Sequence, residues 1–150
     1  MPRYRALAAH EITEKKPGDL VTIADKESEA ALTRHLTSLL PGSRVLGEEG
    51  YEADPGTLKI LGGGAPVWIV DPVDGTHNFA HGKSPFTVIV ALADQSGVRA
   101  GWIIDPVKSD AAWAIRGSGV CYQDAAGTVA VPDRPDKKFE DGVMTAGPKL

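Results

Sequence analysis

The spacing of apolar residues divides the chain into one helix followed by a series of short strands. Between residues 25 and 40, apolar positions recur at helical intervals, and Pro41 and Gly42 follow as a helix stop. From Phe86 onward, short β-prone runs alternate with turn residues, which is typical of an antiparallel meander. The runs lie at 86–92, 98–104, 111–115, 120–123 and 128–131. Residues 50–66, which include three consecutive glycines at 62–64, are expected to be a loop. The chain is therefore predicted to be a layered α+β domain in which helix packs on antiparallel sheet.

An apolar run that ends in two aspartates is the most informative segment. Residues 68–76 have the sequence Trp-Ile-Val-Asp-Pro-Val-Asp-Gly-Thr. Because Pro72 has no N–H to donate, we expect strand pairing to stop there and the chain to turn. The turn would bring the Asp71 and Asp74 carboxylates together, with the Val73 carbonyl as a third oxygen donor. Hard oxygen donors of this kind favour Mg²⁺ over zinc.

The two residues after these aspartates suit a phosphate group. Gly75 allows the backbone to approach a ligand closely. If a helix begins at Thr76, the N–H groups of its first turn have no partner within the helix and form an anion site. The sequence thus predicts a cation and a phosphate side by side.

A second apolar run, residues 45–47, leads into Glu48 and Glu49. If these glutamates lie near Asp71 and Asp74, each pair of like charges about 4 Å apart repels by roughly 4 kcal/mol at an effective dielectric near 20. Such a cluster would require cations.

Each of these features also has a purely structural interpretation. Asp-Pro-x-Asp-Gly is a common turn composition. Asp25 is of a type that often caps or opens a helix, and Thr76 is equally suited to capping the helix that follows it. Only the combination of these segments favours a metal and phosphate site over a purely structural role.

Three segments in order resemble the signatures of the inositol monophosphatase family of Mg²⁺-dependent phosphatases. They are L-V-T-I-A-D at 20–25, G-E-E at 47–49 and W-I-V-D-P-V-D-G-T-H-N-F at 68–79. The resemblance extends through G-W-I-I-D-P at 101–106 and R-G-S-G at 116–119, so that it covers residues 8–131. It implies that the domain corresponds to the N-terminal half of that family's sandwich fold.

The resemblance also implies a role for each acidic residue of these motifs. Glu48, Asp71 and the Val73 carbonyl would hold one Mg²⁺, and Asp71 and Asp74 would reach a second. Glu48 would thus be both a metal ligand and a catalytic residue, and Glu49 would lie just behind the ligands.

The implied reaction is hydrolysis of a phosphomonoester by a metal-activated water, without a phospho-enzyme intermediate. Thr76, hydrogen-bonded to Asp25, would orient and activate that water, and the Gly75 and Thr76 amides would bind the phosphate. Either Lys15 or Lys16 would lie near the metals. The implied substrate is inositol monophosphate or a related small phosphorylated alcohol.

The chain also departs from the family pattern. Family members carry a second half with a Trp-Asp motif whose aspartate completes the second metal site, whereas the three tryptophans here precede Ile69, Ile103 and Ala114. We therefore expect a metal-binding domain at 1–131, with residues 1–14 as the end of a longer first helix. Residues 132–150 would be a linker and the start of a second domain, with a strand at 143–146. On this expectation, activity of the chain by itself is open.

One internal repeat of the motif is interpreted as structural. Residues 102–107, Trp-Ile-Ile-Asp-Pro-Val, nearly repeat 68–73, but Lys108 replaces the second aspartate and no Gly-Thr follows. A hairpin turn containing Asp105 explains this repeat better than a second site.

Two rival functions remain. A haloacid-dehalogenase-like phosphatase would need its nucleophile and acid two residues apart, whereas Asp71 and Asp74 are separated by three positions. The other rival is a non-catalytic half-domain that binds divalent cations or depends on a partner chain, and the missing Trp-Asp motif favours it.

Composition limits the possible binding partners of the chain and its cellular compartment. The formal net charge of −4 gives no basic surface for nucleic acid. No apolar run approaches the ~20 residues that a membrane helix needs, and no signal peptide is visible. The single cysteine, Cys121, cannot form an internal disulfide, which favours the cytoplasm. The expected partner is a small phosphomonoester, and the family resemblance suggests a homodimer.

Overall fold

A seven-stranded sheet and one long helix form the frame of the molecule. The computed structural model describes residues 3–124 and 126–131. The strands are β1 Ile12–Lys16, β2 Asp19–Thr22, β3 Arg44–Gly47, β4 Val67–Asp74, β5 Thr87–Asp94, β6 Gly97–Asp105, β7 Asp110–Ile115, β8 Gly119–Asp124 and β9 Gly127–Val131. The α-helices are α1 Ile23–Leu39, α2 Glu48–Ala53 and α3 Thr76–Ala80, and 3₁₀ helices cover Ala9–Glu11 and Pro55–Gly62.

The strands follow one another across the main sheet in sequence order, from β3 to β9. β3 and β4 are parallel, and every later neighbour pair is antiparallel. β1 and β2 form a separate antiparallel hairpin. The predicted α+β class and the predicted meander are both confirmed.

A capping box fixes the beginning of α1. The Thr22 hydroxyl accepts a hydrogen bond from the Ala24 N–H, while the Thr22 N–H and hydroxyl both donate to Asp25 Oδ2. Both side chains are 1% exposed. This reciprocal arrangement satisfies orphan N–H groups of the first turn, so the helix begins at Ile23, two residues before the predicted start.

The core lies between α1 and the centre of the sheet. Trp68, Val70 and Val90 are buried there, and Leu32 and Leu36 of α1 pack against them. Each fully buried side chain of this kind contributes about 1.5–3 kcal/mol relative to exposure. Packing of α1 on β4 therefore helps to fix the acidic end of β4.

A second cluster lies directly beneath the turn after β4. Val73, Phe79 and Phe86 are buried together with Ala24, and Tyr4 packs against them. The Phe79 and Phe86 rings meet edge to face, with centroids 4.9 Å apart. Because these residues come from α1, β4, α3 and the segment before β5, the cluster holds the turn in place.

The expected helix at 1–14 is wrong for the residues that the structure describes. Residues 3–14 contain a turn, the 3₁₀ helix and the start of β1. Gly18 adopts φ +82°, which closes a tight turn, and Ile12 pairs with Thr22 across the hairpin. The last part of the segment, from Ile12, is therefore held extended by β2.

Residues 50–66, expected as a loop, are largely helical. α2 and the 3₁₀ helix at Pro55–Gly62 occupy most of the segment. Asp54 caps the 3₁₀ helix by accepting from the Gly56 N–H at 2.8 Å, and Pro55 follows in the first helical position. The Asp54 cap and the position of Pro55 explain why the second half of this segment is helical.

The expectation that strand pairing ends at Pro72 is also wrong. β4 continues to Asp74, which pairs with Thr87 after Asp71 pairs with Ile89. Three steps along β4 therefore match two steps along β5, so the chain accommodates the missing N–H of Pro72 in a bulge rather than by leaving the sheet.

The repeat at 102–107 is a hairpin turn, as predicted. The Asp105 carboxylate accepts hydrogen bonds from the Val107 and Lys108 N–H groups at 2.9 and 3.0 Å, between β6 and β7. The predicted linker at 132–142, the strand at 143–146 and the second-domain start within 132–150 lie outside the described residues. The domain division after residue 131 stays a prediction.

The capping box yields a stability prediction. Replacing Thr22 by alanine (Thr22→Ala) removes a cap and a buried partner of Asp25, and should lower the free energy of unfolding by about 1–2 kcal/mol in urea denaturation. Thr37→Ala is the matched control, because the Thr37 hydroxyl bonds back to the Thr33 and Arg34 carbonyls within α1 and caps no helix. Equal unfolding midpoints for the two variants would contradict the capping role.

Candidate metal site

Parallel pairing of β3 and β4 brings two acidic segments to one edge of the sheet. The register matches Gly47 with Val70. The next residue along each strand is therefore Glu48 on one chain segment and Asp71 on the other, and parallel strands point their carboxyl ends the same way. Glu48 and Asp71 therefore lie side by side at the point where β3 ends.

The Glu48 and Asp71 carboxyl groups lie within hydrogen-bond reach of each other. Burial, and then the negative charge of Asp71, raises the pKa of Glu48 to about 7. Burial also raises the pKa of Asp71, although the hydrogen bond from Glu48 partly offsets that effect. The pair therefore keeps a proton to higher pH than an isolated carboxyl group would, and it prefers not to carry two charges without a cation.

The turn after Asp71 orients the remaining predicted ligands. Asp71 Oδ1 accepts from the Val73 N–H at 3.1 Å, and the Val73 carbonyl accepts from the Thr76 hydroxyl at 2.9 Å. Asp74 Oδ2 accepts from the Thr87 hydroxyl at 3.2 Å. After burial, the negative charge of Asp74 is a further cause of the raised pKa of Asp71.

Gly75 and Thr76 form the junction between β4 and α3. Gly75 adopts φ +91°, a left-handed conformation that favours glycine, and a Cβ there would also lie 3.4 Å from Phe86. The Thr76 hydroxyl lies 3.1 Å from Asp25 Oδ1. The hydroxyl has one proton and two acceptors, because the Val73 carbonyl is also in reach.

Asp25 is a fixed partner for that hydroxyl. Its side chain is buried, and its Oδ2 already accepts both hydrogen bonds from Thr22. The structure therefore brings together Asp25 and Thr76, the pair that the family resemblance implied.

Lys15, and not Lys16, lies beside the acidic edge. Its ammonium group contacts Glu49 Oε1 at 2.8 Å and also contacts Glu52, and its side chain is 17% exposed. Burial alone would lower the pKa of Lys15, but the hydrogen bonds to the two glutamates outweigh burial and raise it. Burial raises the pKa of Glu49, and Lys15 partly offsets this. Glu49, the residue after Glu48, thus faces Lys15.

One residue of the site was missed by sequence reasoning. The Glu29 carboxylate accepts hydrogen bonds from the Glu49 and Gly50 N–H groups at 2.8 and 3.0 Å. Its position four residues after Asp25 puts both acids on the same side of α1, one turn apart. That spacing was the available signal.

The donor set suits Mg²⁺. Within residues 3–124 and 126–131, no group of three or more His, Cys, Asp and Glu side chains is arranged so that it could hold a metal ion. Mg²⁺, however, is usually bound through one or two carboxylates together with waters and substrate phosphates. Glu48 and Asp71 supply two carboxylates that already share one proton, so the residues fit this ion.

Comparison with known proteins identifies relatives of the chain. A family model described as the inositol monophosphatase family matches residues 1–144. The inositol-1-monophosphatase of Bacillus subtilis is 37% identical over 107 residues, which are 71% of this chain and 38% of that protein. The extragenic suppressor protein suhB from Bartonella henselae superposes with a TM-score of 0.63 at 34% identity, over 75% of this chain and 42% of that one.

A further solved structure carries ligands. It is described as an IMPase/NADP phosphatase complexed with Mg²⁺ and phosphate, and it superposes with a TM-score of 0.60 at 26% identity. The match covers 74% of this chain and 41% of that one. The chain thus spans about two fifths of the length of these relatives. No helix in the described part of the chain is both long and apolar enough to cross a membrane.

The Glu48–Asp71 contact predicts how stability depends on pH. The folded pKa of Glu48 is about 7, above its ordinary 4.5, so the folded state keeps a proton that the unfolded state loses. Without metal ions, the contribution of Glu48 to stability is fully present below pH ~4.5 and falls until the pH exceeds about 7. Glu48→Gln should flatten this decline in urea denaturation measured from pH 5 to 8.

Glu27→Gln is the matched control for that experiment. The hydrogen bond from Arg3 lowers the pKa of Glu27, so this glutamate titrates below pH 4.5 and its removal should leave the decline unchanged. A Glu48→Gln variant that keeps the decline of the unmutated chain would show that Glu48 does not share a proton with Asp71.

Proposed function

The chain belongs to the inositol monophosphatase family, and we propose that within it the chain carries a Mg²⁺-dependent site for the hydrolysis of phosphomonoesters. The observation that carries the proposal is the contact between Glu48 and Asp71, with Thr76 and Asp25 hydrogen-bonded beside them. The family is one of phosphatases, and a Mg²⁺ and phosphate complex is known for a structural neighbour. Both facts support the same reaction class.

The proposed ligands are Glu48, Asp71, the Val73 carbonyl and Asp74, with Glu49 behind them. Bound Mg²⁺ lowers the pKa of water and stabilises charge on the attacking and leaving oxygens. The bulge in β4 lets residues 71 and 74 approach from the same strand end. When the Thr76 hydroxyl donates to Asp25, both lone pairs of the Val73 carbonyl are available, and when it donates to that carbonyl, one lone pair still is.

Thr76 and Asp25 have the proposed task of orienting the attacking water. Asp25 is buried and held by Thr22, so Thr76 can donate its one proton to Asp25 Oδ1 and accept a proton from water at Oγ1. As Thr76 takes a proton from the water, the hydroxyl's own proton can pass to the Asp25 carboxylate through the same hydrogen bond. The Gly75 and Thr76 amides are the proposed phosphate contacts, because α3 begins there.

The proposed substrate is inositol monophosphate or a related small phosphorylated alcohol. Relatives named inositol-1-monophosphatase support this choice. We also propose a cytoplasmic location, because the single cysteine gives no disulfide framework. A homodimer stays a prediction from the family.

A second candidate is a half-domain that binds a divalent cation without catalysis. In the described part of the chain, two carboxylates touch but no group of three is arranged for a metal ion. A site with so few protein ligands would depend on further donors for turnover. Calorimetric Mg²⁺ titration combined with release of phosphate from inositol 1-phosphate separates the candidates, because binding without Mg²⁺-dependent release would support the half-domain and refute the enzyme.

Asp71→Asn should abolish Mg²⁺ binding, because Asp71 is the ligand proposed for both metals. We expect the dissociation constant measured by calorimetry to rise at least 100-fold, with loss of any phosphatase activity. Asp105→Asn is the matched control, since Asp105 occupies the same position of the repeated motif but only closes a hairpin. If both variants bind Mg²⁺ equally well, the site assignment is wrong.

Thr76→Ala should separate binding from chemistry. Mg²⁺ affinity should change less than threefold, whereas phosphate release should slow about 10²- to 10⁴-fold because the water loses its orienting partner. Thr57→Ala, whose hydroxyl bonds only the Asp54 carbonyl in an exposed cap, should leave both unchanged. Normal turnover in Thr76→Ala would eliminate the orienting role.

A further inference from the structure

Glu29 connects the middle of α1 to the start of α2. Its two carboxylate oxygens accept from consecutive backbone N–H groups, Oε2 from Glu49 at 2.8 Å and Oε1 from Gly50 at 3.0 Å. Gly47, the residue that precedes α2, provides no side-chain cap. Glu29 therefore takes the place of a local cap, from a residue 20 positions earlier in the chain.

Gly47 leaves the space that this carboxylate occupies. A Cβ at residue 47 would lie 2.2 Å from Glu29 Cδ and 2.3 Å from Oε2. The backbone of Gly47 has φ −98° and ψ 158°, an extended conformation that any residue adopts. Glycine is thus required at this position only because a side chain would collide with the Glu29 carboxylate.

We propose that Glu29 is a positioning residue that fixes the Glu48 carboxylate for metal binding, an inference that rests on the proposed function. Glu48 lies between two anchored points. On one side Gly47 is paired with Val70 in the sheet, and on the other the Glu49 amide is bound by Glu29. With its backbone fixed on both sides, Glu48 meets Asp71.

The short length of α2 makes this anchor necessary. α2 has six residues, and a helix of this length is not stable without tertiary contacts. The negative carboxylate of Glu29 also interacts favourably with the positive end of the helix dipole. Without Glu29, the first turn of α2 loses two charge-assisted hydrogen bonds, and the direction of Glu48 is no longer fixed.

Mg²⁺ affinity is the direct test, because it reports the ligand and does not require turnover. Glu29→Ala and Glu29→Gln in the full chain should raise the calorimetric dissociation constant for Mg²⁺ about 10- to 100-fold, the range typical of residues that orient metal ligands. Glutamine keeps the size but offers one acceptor oxygen in place of two. Amide exchange at residues 49 and 50 should accelerate in both variants.

Glu27→Gln is the matched control, since it removes the same charge from α1 but contacts only Arg3 at the surface. It should bind Mg²⁺ as the unmutated chain does. Circular dichroism checks that every variant is folded.

Gly47→Ala tests the same contact from the other side. The added methyl must displace Glu29, so Mg²⁺ affinity should fall 10-fold or more in the otherwise unmutated chain. In the Glu29→Ala background the clash is gone, and adding Gly47→Ala should cause less than a twofold further loss. If the two substitutions instead weaken Mg²⁺ binding by independent factors that multiply in the double variant, the packing argument is wrong.

The outcomes distinguish this inference from the proposed function. If Glu29→Ala and Glu27→Gln bind Mg²⁺ equally well, Glu29 does not position the ligand, whatever the activity. If the unmutated chain binds Mg²⁺ but releases no phosphate, the proposed reaction fails, and weakened binding in Glu29→Ala still supports the positioning role. If the unmutated chain binds no Mg²⁺, both proposals fail.

Discussion

The contact between the Glu48 and Asp71 carboxyl groups is the constraint on which the site depends. Two like charges about 4 Å apart repel by roughly 4 kcal/mol at an effective dielectric near 20. The packing of α1 on β4 and the pairing of β3 with β4 oppose this repulsion, because they hold the two strands side by side. The scaffold therefore holds the pair together, and the raised pKa of Glu48 is how the protein tolerates the contact without a cation.

The rest of the site is built outward from that pair by short connections to α1. The first turn of α1 supplies Asp25, which binds the Thr76 hydroxyl, and the next turn supplies Glu29, which binds the amides of α2. One helix thus orients both segments that follow the acidic strands. Because α1 also packs against β4, movement of the helix would disturb the fold and the site together.

Features that depend on local sequence could be predicted. The end of β3 before Glu48 was visible because an apolar run stops abruptly at acids, and the meander was visible because turn residues recur at close intervals. Asp25 and Thr76 are 51 residues apart, and only the family resemblance brought them together before the structure did.

Features that depend on distant backbone groups could not be predicted. The spacing of Asp25 and Glu29 indicates a shared face of α1 but does not indicate which N–H groups Glu29 binds, and α2 was taken for loop because its cap comes from another helix. The start of β1 was taken for the end of a helix because its partner strand lies beyond the tight turn at Gly18. In each case a tertiary contact overrides the local pattern.

The most direct test of the central claim is a crystal of the chain soaked in Mn²⁺, an ion that accepts the same oxygen donors as Mg²⁺. Anomalous diffraction locates the manganese without reference to activity. The account predicts a peak coordinated by the carboxylates of Glu48 and Asp71 together. A peak elsewhere, or none at this edge of the sheet at saturating Mn²⁺, would contradict it.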